Sequence, residues 1–139
     1  MIKPFKVNVS DSILKEINTK VKNYPWHEMP KDGGWEYGTN LEYMKEISDY
    51  WVNKFDWKKH EEKINKFSNF TTDVSGLNIH FIMEKGSGSK ATPLLLMHGW
   101  PGSVVEFLNI IEKLAHPEKF GGKEEDAFDV IVPSLPGFG

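Results

Sequence analysis

Hydrophobic positions along the chain change their spacing near Phe67. Before it they recur every three or four residues. After it they alternate or cluster in short runs. Ile13, Leu14, Ile17 and Val21 make one stripe at helical spacing, and Ser10 or Asp11 stands where an N-cap belongs. Val7 to Ser10 read as a short extended entry. Pro25 ends this first helix, and residues 24–39 read as a loop dense in proline, glycine and aromatics. A second helix is expected from Thr39 or Asn40, with Leu41, Met44, Ile47 and Trp51 on one face. Asp56 caps a third, carrying Trp57, His60, Ile64 and Phe67. Charges between residues 40 and 66 alternate in sign, as on solvated helix faces.

Strand patterns follow. Asn69–Val74 and Leu77–Glu84 are strand-like, and Ser75-Gly76 between them predicts a β-hairpin turn. Gly86-Ser87-Gly88-Ser89 reads as a flexible link. Pro93 then opens an apolar run, Leu94 to Met97, whose length suits a buried strand. Gly99, Pro101 and Gly102 force a sharp turn after it. Val104, Phe107, Leu108, Ile111 and Leu114 predict an amphipathic helix beyond, with Ser103 and Glu106 in a capping-box pattern. A polar loop over 116–127 leads to a last strand, Phe128 to Val132. The two strands flanking the helix should lie parallel, as a βαβ crossover requires.

Composition narrows the class. The chain has 139 residues, 39% hydrophobic and 27% charged, enough for one modest domain with a core. A net charge of -3 gives no electrostatic reason to expect a nucleic-acid partner. There is no cysteine, which excludes disulfides and thiolate metal sites. No apolar run approaches the roughly 20 residues that span a bilayer. Met1 to Lys6 lacks a signal-peptide core, so the expectation is a cytoplasmic protein without a membrane partner.

The candidate chemistry sits in the turn His98-Gly99-Trp100-Pro101-Gly102-Ser103. A loop between a parallel strand and a helix lies where open α/β sheets bind ligands. Glycines let the backbone approach a ligand, and free N–H groups at a helix start favour negative charge. The plain alternative is a strand-to-helix turn with no ligand. Among other tempting residues, His27, His60, His80 and His116 have no metal-ligand spacing, so no metal or cofactor is expected. Glu124-Glu125-Asp126 reads as a solvated charge run, and Ser103 as a cap rather than a nucleophile.

His98-Gly99-Trp100-Pro101-Gly102-Ser103 with Glu106-Phe107, and Val132-Pro133-Ser134-Leu135-Pro136-Gly137-Phe138-Gly139, closely resemble epoxide hydrolases of the microsomal and juvenile-hormone type. Pro4-Phe5, Gly34-Trp35-Glu36-Tyr37-Gly38, Tyr50-Trp51, Phe70-Thr71-Thr72 and Gly76-Leu77-Asn78-Ile79-His80-Phe81 carry the same resemblance, which covers nearly the whole chain. It implies an α/β fold: a helical N-terminal region, residues 1–68, then the first four strands and first helix of an α/β-hydrolase domain, residues 69–139. It also implies the soluble branch of the family, without the animal members' anchor.

The family opens a small-molecule epoxide by attack of an Asp carboxylate. A water activated by a histidine then hydrolyses the enzyme ester to a diol. By resemblance the Trp100 N–H is an oxyanion donor, His98, Gly99 and Pro101 shape its loop, and the Trp100–Pro101 peptide is cis. His98 is then a loop-structuring residue, not the base. Trp26, Trp35 and Tyr37 are candidates to line an apolar substrate pocket, or else pack against the catalytic domain.

No Gly-x-Asp-x-Gly or Gly-x-Ser-x-Gly elbow occurs in these residues. The sequence is therefore expected to describe the opening part of an enzyme, truncated before the nucleophile and inactive alone. A sheet ending at its fourth strand leaves an apolar edge, so the isolated chain is expected to aggregate, self-associate or need a complementary chain. Two other readings share the loop: an esterase or haloalkane dehalogenase relative, and a non-catalytic module docking on a partner hydrolase.

Overall fold

The computed structural model describes residues 1–30 and 33–139; Lys31 and Asp32, in the expected 24–39 loop, lie outside the described residues. The chain forms two compact units, one of residues 8–59 and one of residues 1–7 with 60–139.

In the 8–59 unit, α1 (Asp11–Lys22) starts at Ser10, whose Oγ accepts the Ile13 N–H at 3.4 Å. Helix α2 (Leu41–Asn53) starts at Asn40, whose Oδ1 accepts the Tyr43 N–H at 3.0 Å. Both caps lie where the sequence placed them. The helices pack on each other, yet neither contains a buried residue. Helix α3 (Trp57–Ile64) begins in this unit and continues into the other, where Glu61 and Ile64 are buried.

The other unit is built on a five-stranded sheet ordered β1-β2-β3-β5-β4. The hairpin is β2 (Asn69–Val74) and β3 (Leu77–Glu84), in register from Asn69↔Ile82 to Val74↔Leu77. Ser75 and Gly76 turn it with φ of 55° and 81°, the positive values that a two-residue hairpin turn needs. Asp73 Oδ1 accepts the Gly76 N–H at 3.3 Å.

Strand β1 (Lys3–Phe5) pairs antiparallel with β2, so the extended entry lies earlier than the expected Val7–Ser10. Three exposed residues carry no alternation to read. What holds the segment is long-range: Asn65 Oδ1 accepts the Val7 N–H at 3.0 Å and Asn65 Nδ2 donates to the Val7 carbonyl at 2.8 Å.

Strand β4 (Thr92–Leu95) starts and ends two residues before the expected apolar run. Thr92 N–H donates to Ala127 O at 3.3 Å and Leu96 N–H to Ile131 O at 2.9 Å. Residues 92, 94 and 96 thus face β5 (Phe128–Pro133), and Pro93 turns its missing donor to the free edge, where proline is tolerated. The pairing of β4 with β5 is parallel, as expected.

The predicted helix over 104–114 is two pieces, a 3₁₀ turn at Val104–Phe107 and α4 (Ile111–Ala115). Leu108 and Ile110 N–H groups donate to carbonyls three residues back, Val105 and Phe107, which tightens the chain. β-Branched Val104, Val105, Ile110 and Ile111, with Asn109, supply weak helix propensity. The apolar spacing still works: Val104, Ile111 and Ala115 are buried beside Ile82, Val130 and Val132.

Gly86–Ser89, expected as a flexible link, is fastened at its start. Asp129 accepts from Lys85 Nζ at 2.6 Å and from Gly86 N–H at 2.9 Å, and Ser87 N–H donates to Ala115 O at 2.8 Å. Within 116–127 the polar loop is shaped by short 3₁₀ turns at Pro117–Phe120 and Glu124–Asp126. No helix among the described residues is long and apolar enough to cross a membrane.

Candidate functional site

The loop leaving β4 turns back on itself at once. Gly99 O accepts the Gly102 N–H at 2.7 Å, closing a tight turn around a cis Trp100–Pro101 peptide. Trp100 is 83% exposed, and its N–H finds no acceptor among the described residues. Ser103 Oγ accepts the Val105 N–H at 3.3 Å and Glu106 Oε1 accepts the Ser103 N–H at 3.2 Å. That reciprocal pair is a capping box, which occupies the Ser103 hydroxyl as the spacing predicts.

His98 lies under this turn, 5% exposed. Its Nε2 accepts the Leu135 N–H at 3.1 Å. A backbone amide can only donate, so Nε2 carries no proton and the neutral ring bears it on Nδ1. From there it donates to Gly99 O at 3.3 Å, and the Phe138 ring lies 5.7 Å away. The histidine thus ties the loop after β4 to the segment after β5, with both nitrogens committed to backbone groups.

The segment after β5 is itself anchored by groups that the sequence reading passed over. Ser134, 2% exposed, donates its N–H to His80 O at 2.8 Å, and its Oγ meets His80 Nδ1 at 2.8 Å. His80 Nε2 lies 2.9 Å from Asn69 Oδ1, while Asn69 Nδ2 donates to the Ile64 and Phe67 carbonyls at 3.0 and 2.8 Å. Those two bonds fix the amide orientation, so Nε2 is the donor and Nδ1 accepts the Ser134 hydroxyl. Burial holds the His80 imidazole below its ordinary pKa, and Phe5 covers it edge-on at 5.4 Å. The only clue in the sequence is that His80 shares a strand face with Ile82.

A second cluster joins Glu84, His116 and Ser87. Glu84 Oε1 lies 3.1 Å from His116 Nε2, and His116 Nδ1 lies 2.8 Å from Ser87 Oγ. It has the order of a nucleophile, base and orienter. However, the Ser87 hydroxyl also reaches Ala115 O at 3.2 Å and both Glu118 carboxylate oxygens at 2.9 Å. Its one hydrogen is claimed several times over, and the cluster fastens the loop after β3 to the end of α4.

The candidate pocket aromatics fall in the 8–59 unit. Trp26 and Tyr37 line one cavity of about 570 Å³, with Met29, Leu41, Met44 and Trp51 also in its wall. Trp35 is not in that lining; its ring lies 5.3 Å from Tyr43. Glu124, Glu125 and Asp126 are exposed, and no group of three metal-ligating side chains occurs among the described residues.

Residues 2–107 match the family described as "Epoxide hydrolase N terminus". The chain belongs to that family. It is 43% identical over 138 residues to a putative epoxide hydrolase of Stigmatella aurantiaca, covering 99% of this chain and 31% of that protein. Epoxide hydrolase 1 of Sus scrofa is 42% identical over 142 residues, again covering 99% of this chain and 31% of its own. Among solved structures, juvenile hormone epoxide hydrolase from the silkworm Bombyx mori superposes with a TM-score of 0.83 at 32% identity. That match covers 99% of this chain and 32% of the silkworm protein. This epoxide hydrolase N-terminal chain therefore spans about a third of the length of the relatives it matches. Its helices and mixed sheet are the corresponding α/β portion.

Proposed function

We propose that this chain supplies the oxyanion loop of an epoxide hydrolase that opens epoxides to vicinal diols through a covalent carboxylate ester. The reading rests on the turn after β4, where Trp100 presents a backbone N–H without an acceptor while His98 and Gly102 hold both ends of the turn. Such a donor works in the second half-reaction. As water attacks the ester carbonyl, the oxygen gains negative charge, and a preorganised N–H stabilises it. The substrate is a small epoxide.

Nucleophile, acid and base are assigned outside these 139 residues, so the chain alone forms no diol. A complementary chain carrying them is the expected partner. The outer edge of β4, with Leu95 59% exposed, supports pairing there or with a second copy. The same edge also supports a second reading, a non-catalytic module docked on a partner hydrolase.

One experiment tests the first reading. The chain is combined with the remaining two-thirds of an epoxide hydrolase, and diol formation is followed with and without an ester replacing the Gly99–Trp100 amide. That replacement removes the Trp100 N–H while leaving every side chain in place, and it also weakens Gly99 O as the acceptor for Gly102 and His98. Hydrolysis of the ester intermediate should slow by about 10²–10³-fold while ring opening persists. An unchanged rate in an active mixture refutes the oxyanion assignment. Diol production by the chain alone refutes the assignment of the nucleophile.

A further inference from the structure

The buried polar cluster and the exposed loop are joined link by link. Ser134 is bonded to His80 twice, backbone N–H to carbonyl and hydroxyl to ring, both at 2.8 Å. The first bond fixes where the chain leaves β5, and the second fixes the side chain. The next residue, Leu135, presents the N–H that His98 Nε2 accepts at 3.1 Å. His98 then donates to Gly99 O, the same carbonyl that receives the Gly102 N–H. His98 Nε2 faces an N–H that can only donate and Nδ1 a carbonyl that can only accept, while the sense at His80 Nδ1 follows from the Asn69 amide on its other nitrogen.

We propose that His80 is a positioning residue for the Trp100 loop, acting through Ser134 and Leu135 on His98. The proposal rests on the reading of the Trp100 N–H as an oxyanion donor, because only then does the loop's placement matter to chemistry. His98 cannot set that placement by itself. Its anchor is a segment without regular structure, and that segment needs an anchor of its own. His80 provides it from the middle of β3, held on its other nitrogen by an Asn69 amide that two carbonyls orient. Donors of this kind act only when rigidly placed, which a loop alone does not achieve. Without the Ser134 hydroxyl, His80 Nδ1 loses its donor and Ser134 is tied to β3 by its backbone N–H alone.

Amide hydrogen exchange read by mass spectrometry tests the linkage in Ser134→Ala and, separately, His80→Gln. Peptides over residues 99–105 report the Gly102 N–H, which is far in sequence from both substitutions. They should exchange about tenfold faster in each variant, while the β3–β5 ladder keeps its protection. Loop exchange at the unsubstituted rate in both variants overturns the proposal. So does equal acceleration of loop and ladder, because the loss then belongs to the whole sheet. The same variants in the combined enzyme separate the two claims. A loosened loop in a variant mixture that hydrolyses the ester intermediate as fast as the parent retires the oxyanion reading and leaves the positioning intact. An uncoupled loop in an active mixture does the reverse.

Discussion

Leu135 donates its N–H to Nε2 of His98 across thirty-seven positions of sequence, at 3.1 Å. That bond decides which nitrogen of His98 is protonated and joins the two loops at the carboxyl ends of the parallel strands β4 and β5.

Replacing His98 with Ala should therefore cost stability as well as loop order. The Leu135 N–H would lose its acceptor in a part-buried setting, a penalty of about 1 kcal/mol. Urea titration of the variant beside the parent chain measures it, and a loss below about 0.5 kcal/mol would contradict the assignment.

Stability should fall in acid because of His80. Burial lowers its folded-state pKa below the ordinary 6.5, so the unfolded chain takes up the proton first as pH drops. The contribution is complete above 6.5, declines as pH falls through that value, and levels off below the lowered folded value. Denaturation midpoints across that range should show the decline in the parent chain. In His80→Gln the part of the slope due to this group should vanish; an identical slope would sink the argument.

Gly86→Ala should destabilise the sheet end. A Cβ there would meet Phe128 O at 2.6 Å and Ala91 Cβ at 2.7 Å, so backbone would have to move. Asp129 also fixes that backbone through the Gly86 N–H. A loss of about 1–3 kcal/mol is expected, read as a lowered melting temperature; a variant melting with the parent would show that the close approach is not binding.

Asn40→Ala should loosen the first turn of α2, where the side chain accepts the Tyr43 N–H. The cost is about 0.5–2 kcal/mol of local helix stability. Because α2 has no buried residue, tertiary packing offers little to offset it. Faster amide exchange confined to residues 41–44 is the expected signature, and unchanged exchange there would argue against the cap.

Local chemistry was legible in the sequence: the caps at Ser10 and Asn40, the Ser75-Gly76 turn, the Ser103–Glu106 box and the turn at Trp100. Each depends on residues within a few positions of one another, which composition and spacing encode directly. Tertiary structure alone decided that Lys3–Phe5 joins the sheet, that β4 begins at Thr92, and that the 104–114 stripe breaks into two pieces. It also decided that His80, Ser134 and His98 form one connected support. Hydrogen bonds between residues far apart depend on which strands pair and in what register, and no single stretch of sequence contains that pairing.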